Sequence, residues 1–340
     1  MNISIGMNLQ RGPFGGGNQF GNALVKSLEA SGHRVTFNLQ AYDLDLILLA
    51  EPRSNLQISA YSDAHIWQYV KLLNPHGLVI HRINECDERK GTTGVNKRII
   101  AANRVADHTV FVSDWLRDLY LEQGIGSRAF SVIRNGSDRA IFHADGYREW
   151  DGQSPLKIVT HHWGGHWLKG FDVYQQLDEW LADTTFSDRF SFTYIGNIPD
   201  GFTFKHAKHI KPLSGTALAD AIREHHVYIT GSQNEPGPNH QNEGANCGLP
   251  LLYRPSGGLT EYCEGYGIAF SMSTLREALD KMRQEYHQWR EHIQHYPYNA
   301  ENTMRQYQAL FADMQKRYEN LVATRAWQAD PTWKRLARQL

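Results

Sequence analysis

Short apolar runs recur through this chain, and most are followed by a turn and then by apolar residues at helical spacing. The first part carries such runs at 2–7, 35–38, 46–50, 77–83, 108–112 and 130–133, and the second at 156–161, 190–196, 209–213 and 226–230. Helical spacing appears in Phe20, Leu24 and Leu28, after the capping sequence Ser113-Asp114-Trp115, at 216–225, and in Leu275, Leu279 and Met282. Near-continuous apolar strands alternating with helices define a parallel sheet covered on both faces. The pattern runs through both halves of a 340-residue chain, which predicts two doubly wound α/β domains. The polar stretch 146–155 reads as the connection. It divides the chain into an N-terminal domain over 1–150, a second domain over 151–320, and a helical tail over 321–340.

Composition removes several function classes. A formal net charge of −1 offers no basic field for nucleic acid or an anionic membrane. No run is long and apolar enough to span a bilayer, and the first ten residues lack the basic and apolar regions of a secretory leader. These features predict a cytoplasmic protein. Cys86, Cys247 and Cys263 are too few and too scattered for a disulfide framework or a structural zinc site. The 17 histidines include no HExxH, so no metalloprotease pattern is present.

The densest chemistry lies at 235–258. Glu235 and Glu243 stand with seven residues between them, and the turn Glu235-Pro236-Gly237-Pro238 excludes helix interior. A helix beginning near Asn239 directs its free N–H groups back over the end of the preceding strand, where an anion would sit. Gly248-Leu249-Pro250, an apolar run and Gly257-Gly258 follow, with Glu261 just beyond. Upstream, the run at 2–7 leads into Gly12-Pro13-Phe14-Gly15-Gly16-Gly17. This is a glycine loop before a helix that matches neither GxGxxG nor the P-loop. His81 and Arg82 close the 77–83 strand, with Asp87, Arg89 and Lys90 beyond, and the carboxyl end of a strand is where an open α/β sheet places its ligand. Asp43-Leu44-Asp45 has a metal-chelating spelling but precedes an inner strand without a companion ligand, so it reads as structural. Asn135-Gly136 is a turn, followed by Asp138 and Phe142. The second domain opens with a strand that ends in His162-Trp163-Gly164-Gly165, then Lys169-Gly170.

These residues together resemble the retaining GT-B-fold glycosyltransferases of family 4. Their hallmark is a Glu, seven residues, a second Glu and then Gly-x-Pro, and they also carry a Lys-Gly pair, an Asn-Gly turn and an N-terminal Gly-Gly loop. The resemblance implies two Rossmann-like domains facing a central cleft, with the last helix crossing back to the first domain. It implies transfer of a hexose-like sugar from a nucleotide-diphosphate sugar to an acceptor hydroxyl of a glycan, lipid or small molecule. Configuration is retained, and neither a metal nor another cofactor is required. Carried over by position, His81, Glu235 and Lys169 form the catalytic set. Glu235 holds donor hydroxyls, Glu243 the ribose and Lys169 the diphosphate. Gly16 and Gly17 face the diphosphate, Leu213 lies near the base, and Asn239 and His240 complete the donor site.

Two departures stand out. The family's arginine before Lys-Gly is absent, which makes His162, Trp163 and Arg254 candidate phosphate contacts. Gly237-Pro238-Asn239-His240-Gln241-Asn242 replaces a more apolar stretch, which fits the reading of further donor hydroxyls, an unusual donor, or a protein that has lost activity. Arg82 and Asp87 are candidate acceptor contacts. The rival readings are a non-catalytic binder of nucleotide sugars or glycans, or another enzyme of the same fold such as a sugar-nucleotide epimerase. A phosphorylase would need a pyridoxal-phosphate lysine, which no motif marks. The tail residues Arg325, Trp327, Trp333, Lys334, Arg335 and Arg338 suit packing across the domains, with peripheral contact at the inner membrane face as the alternative.

Overall fold

A computed structural model describes residues 1–10, 15–126 and 129–325. The chain divides into two compact units, Met1–Arg134 with Thr303–Leu340, and Asn135–Asn302. The divide falls at the Asn135-Gly136 turn rather than in the polar stretch 146–155. The C-terminal return begins at Thr303, before the 321 expected for a tail.

The first unit holds a six-stranded parallel sheet: β1 (Asn2–Ile5), β2 (Arg34–Thr36), β3 (Leu46–Leu49), β4 (Leu78–Ile83), β5 (His108–Phe111) and β6 (Phe130–Val132), in the order β2-β1-β3-β4-β5-β6. Alternate residues of a strand point to opposite faces, and the core sorts accordingly. Leu46 and Leu48 join Ile3, Ile5 and Ile80 on one face, under Phe20, Leu24 and Leu28 of the helix Gly16–Ala30. Ile47 and Leu49 join Val79 on the other, under Ile66, Trp67 and Val70 of the helix Asp63–Leu72. The first face is completed from the far end of the sequence. Met304, Tyr307, Leu310, Phe311 and Met314 of the helix Ala300–Lys316 pack there, as does Leu321. The helix Asp114–Glu122 starts at the expected cap, where Ser113 Oγ accepts the Leu116 N–H at 3.1 Å.

Arg325 does not belong to an exposed amphipathic face. It is buried, with Nε and Nη2 each 2.8 Å from a different oxygen of Asp107, and it donates at 2.7 Å to the carbonyls of both Pro75 and Gly77. Trp327, Trp333, Lys334, Arg335 and Arg338 lie outside the described residues, as do Gly12, Pro13 and Phe14.

The second unit repeats the design with β7 (Leu156–His162), β8 (Phe190–Gly196), β9 (Lys208–Ile210), β10 (Val227–Thr230), β11 (Leu251–Tyr253) and β12 (Gly267–Ala269), all parallel, in the order β12-β11-β10-β7-β8-β9. Successive strands are laid outward from β7 on one side, and then from β10 on the other. The strand order therefore reverses between β7 and β10. The crevice beyond the carboxyl ends of the strands at such a reversal is where open α/β sheets bind ligands.

Candidate functional site

β7 ends in His161-His162 and β10 in Thr230-Gly231, so the reversal point is furnished by these residues and by the loops that follow them. After β7 the chain forms the short helical turn Trp167–Lys169, and Gly170 begins the helix Phe171–Trp180 at φ +95. A Cβ on Gly170 would lie 2.5 Å from the carbonyl carbon of Gly231, so only glycine permits the approach of the two loops. Gln233 N donates to Leu168 O at 2.8 Å and Ser232 Oγ to Lys169 O at 3.4 Å, tying the loops together. Lys169 is thereby brought to Glu235, and its ammonium donates to Glu235 Oε1, with both side chains buried. Glu235 is fixed in turn by the bridge to Gly257, where its carbonyl accepts the Gly258 N–H at 2.7 Å. Gly257 sits at φ +61, and a Cβ there would stand 2.6 Å from Glu235 N.

Glu243 lies in the helix His240–Asn246, which begins at the expected place and is seven residues long. Its Oε2 accepts from His161 Nε2 at 2.7 Å, and the Tyr228 hydroxyl lies 3.0 Å from Nδ1 of the same ring. Gly244 lies flat on Tyr228, where a Cβ would meet the ring at 2.3 Å. His162 Nε2 lies 2.7 Å from the Tyr174 hydroxyl, and its ring centroid is 4.4 Å from that of His240. Burial, helped by the neighbouring His240 and Lys169, pushes the His162 pKa well down, so the ring is neutral. His240 Nε2 is 2.9 Å from Thr230 Oγ1. His161, Tyr228 and Tyr174 are the members of this cluster that sequence reasoning missed. The doubled histidine at a strand's carboxyl end was the signal available for the first of them.

The remaining candidates fall elsewhere or are engaged. Arg254 Nη2 pairs with Asp172 Oδ2 at 2.6 Å. Trp163 is 56% exposed, and its carbonyl accepts from Asn197 at 2.7 Å. Asn239 precedes the Glu243 helix without capping it through its side chain. Leu213, just after β9, is partly buried at the edge of the second unit's core. Gln241 and Asn242 are fully buried, not turned outward to read a ligand. Asn242 Oδ1 accepts from Gln241 at 2.8 Å and from the Tyr296 hydroxyl at 2.5 Å, while its amide donates to Asn135 O at 3.2 Å. That stretch is polar because it anchors the Asn135-Gly136 turn.

In the first unit, His81 is buried within β4 and accepts from Asn103 Nδ2 at 3.1 Å on Nδ1. Arg82 is buried over the Phe20 ring at 3.8 Å. Asp87 accepts the N–H groups of Val95 and Asn96 at 3.0 and 2.9 Å, so its carboxylate holds the start of the helix Val95–Asn103. Gly16 and Gly17 open their helix, and no described residue lies within 4 Å of where a Cβ on Gly17 would stand. Among the described residues no cluster of His, Cys, Asp and Glu could hold a metal ion, and no helix is long and apolar enough to cross a membrane. All three cysteines are buried and unpaired.

Two such parallel sheets in tandem are the GT-B fold. The chain matches a sucrose-phosphate synthase from Thermosynechococcus elongatus at TM-score 0.66, with 13% identity over 93% of this chain and 99% of that one. It matches the catalytic domain of starch synthase IV from Arabidopsis thaliana, solved with ADP and acarbose, at TM-score 0.68 and 12% identity over 95% and 99%. It matches the Anabaena protein HepE, solved with UDP and glucose, at TM-score 0.65 and 12% identity over 92% and 99%. At such identities the likeness is one of fold. No family model and no curated protein sequence matches the chain.

Proposed function

We propose that the second unit binds a nucleotide-diphosphate sugar and that the protein transfers the sugar to an acceptor hydroxyl with retention of configuration. The observation that carries this reading is the convergence of Lys169, Glu235 and Glu243 at the reversal point of the second sheet. Solved structures of the same fold hold UDP with glucose or ADP at comparable coverage, which supports a nucleotide sugar as the ligand class.

Each group has a task its environment suits. Glu243, oriented by His161, accepts the ribose hydroxyls. Glu235 accepts hydroxyls of the donor sugar while keeping the Lys169 ammonium charged in a buried place. Lys169 then answers the charge that grows on the diphosphate as the bond from the anomeric carbon to the β-phosphate oxygen breaks. The acceptor oxygen bonds to that carbon on the face the phosphate leaves, and its proton passes to the departing phosphate oxygen. The phosphate charge is met by Lys169 and backbone N–H groups, without a metal. The helix His240–Asn246 is seven residues long, too short for its dipole to replace the missing arginine, so Lys169 carries the larger share of that charge.

The test is calorimetric titration with UDP, GDP and ADP, with and without EDTA, followed by incubation with the matching sugar conjugates and stereochemical analysis of the product. One nucleotide bound regardless of EDTA, with an α-linked product from an α-linked donor, is expected. Binding without turnover over a broad acceptor panel favours a sugar-nucleotide binder, and failure of all three nucleotides refutes the reading.

A further inference from the structure

The second sheet carries another polar concavity at its opposite end. A groove of about 760 Å³ opens at the amino ends of β7, β8 and β10, lined by Lys157, Lys208, Arg148, His225 and His226 among others. β7 is seven residues long, which sets this groove roughly 20 Å from His162 at the strand's other end. The volume lies in the range of small-molecule sites, roughly 300–1,000 Å³.

Its floor is histidine. His225 and His226 are both buried, and burial lowers the pKa of each to about 4, so both rings are neutral near pH 7. Their hydrogen bonds set the tautomers. His226 Nδ1 accepts the Lys157 backbone N–H at 3.0 Å, which leaves its proton on Nε2 as a donor. His225 Nδ1 donates to Ala221 O at 2.8 Å, which leaves a lone pair on Nε2. Among the described residues no group hydrogen-bonds to either Nε2. The rim is cationic, since Arg148, Lys157 and Lys208 are exposed and make no ion pair among the described residues. Lys157 and Lys208 both lie close enough to His225 to act on its charge. The groove's carboxylates are arranged differently. Asp220 is paired with Arg223, and Asp145 stands 3.5 Å from His143. Glu224 is exposed on the rim, leaving a carboxylate for hydroxyl groups.

We propose that this groove is a second ligand site, which binds a phosphorylated, sugar-sized molecule. Its dianionic phosphate is held by Lys157, Lys208, Arg148 and the Nε2–H of His226, and its hydroxyls by Glu224 and the His225 lone pair. Three unpaired cations beside an N–H donor match a phosphate better than a single carboxylate, because charge-assisted bonds to each oxygen are then made at once. The inference does not rest on the transferase reading.

The experiment is calorimetric titration of the full chain with glucose 6-phosphate, inorganic phosphate and glucose, repeated on Lys157→Ala/Lys208→Ala and on His226→Phe. Both lysines are exposed, so the double variant is expected to keep the wild-type melting temperature. Glucose 6-phosphate should bind the wild type more tightly than phosphate, glucose should not bind, and the double variant should lose about tenfold or more in affinity. The His226→Phe variant should weaken the sugar phosphate in the same direction, while the response of the protein to UDP stays unchanged in both. No binding of glucose 6-phosphate to the wild type, or equal binding by the double variant, overturns the proposal. Equal affinity for inorganic phosphate and the sugar phosphate overturns its sugar component.

Discussion

His161 Nε2 stands 2.7 Å from Glu243 Oε2, and the hydroxyl of Tyr228 lies 3.0 Å from the ring's other nitrogen. The three residues come from β7, the Glu243 helix and β10, so one hydrogen-bonded line crosses the point where the strand order reverses. A carboxylate oriented in this way is fixed before any ligand arrives, which is the condition for selective recognition.

Glu243→Gln keeps an acceptor for the His161 N–H while removing the charge. The variant should fold normally and lose about tenfold in nucleotide affinity, an effect of about 1.4 kcal/mol. Titration with the nucleotide that binds the wild type checks this. Unchanged affinity would remove Glu243 from the site.

Lys169 and Glu235 are buried together, so removing one strands the other. Glu235→Ala or Lys169→Ala alone should destabilise the protein by about 3–5 kcal/mol, and the double variant Lys169→Met/Glu235→Leu by much less than the sum of the single changes. Urea denaturation measures all three. In turnover, Glu235→Gln should lower kcat more than it raises the nucleotide Kd, and a loss confined to binding would argue against its contact with the sugar.

Gly244 lies against the face of Tyr228. Gly244→Ala must push the helix carrying Glu243 away from β10, at a cost of about 1–3 kcal/mol. Loss of nucleotide binding should accompany the lower melting temperature, whereas wild-type binding in the alanine variant would show that the helix position is immaterial.

His81 predicts an acid-sensitive first unit. Burial holds its pKa at about 3, against an ordinary 6.5, and protonation would set an N–H against the Asn103 amide. The unfolded chain therefore binds a proton that the folded one refuses. The stability this neutral ring represents is whole above pH 6.5 and declines as pH falls from 6.5 toward 3, by about 1.4 kcal/mol per pH unit. His81→Gln should flatten that part of the stability curve in denaturant titrations at pH 7, 6 and 5. Parallel curves for the two proteins would contradict the assignment.

The bidentate pair of Arg325 and Asp107 is an ion pair with side chains 1% exposed on both sides. Arg325→Ala leaves Asp107 buried and uncompensated, and should destabilise the first unit by about 3–5 kcal/mol. Limited proteolysis should then cut within 1–134 before 135–302, and an unchanged digestion pattern would count against the pair's importance.

Much of this was legible in the sequence because it is local. The alternation of apolar runs and helical spacing is a property of neighbours a few residues apart, and it reports both sheets. The Glu235 turn, the helix after Asn239 and the Lys169-Gly170 step were legible for the same reason. Contacts between distant segments were not. The polar run Gln241-Asn242 has the same composition whether it faces a ligand or a buried turn, and only the fold brings Asn135, more than a hundred residues away, against it. His161 and His162 are adjacent identical residues, yet one meets Glu243 and the other Tyr174, because successive side chains leave a strand on opposite sides. The boundary at Asn135 was obscured by the polar stretch 146–155, whose Trp150 is part of the second unit's core.

The first unit is assembled from both ends of the sequence, which gives its synthesis an order. As the chain leaves the ribosome, β1, β3 and β4 emerge early, but Met304, Tyr307, Phe311 and Met314 follow only after the whole second unit has been made. Through that interval the face shared with the helix Gly16–Ala30 lacks its C-terminal cover, and the apolar surface those residues would bury is open to water and to other chains. The second unit, contiguous in sequence, closes first. In a protein built this way the earliest residues wait longest for their cover, and a premature stop before 303 leaves a second unit with its whole sequence joined to a first one without part of its core.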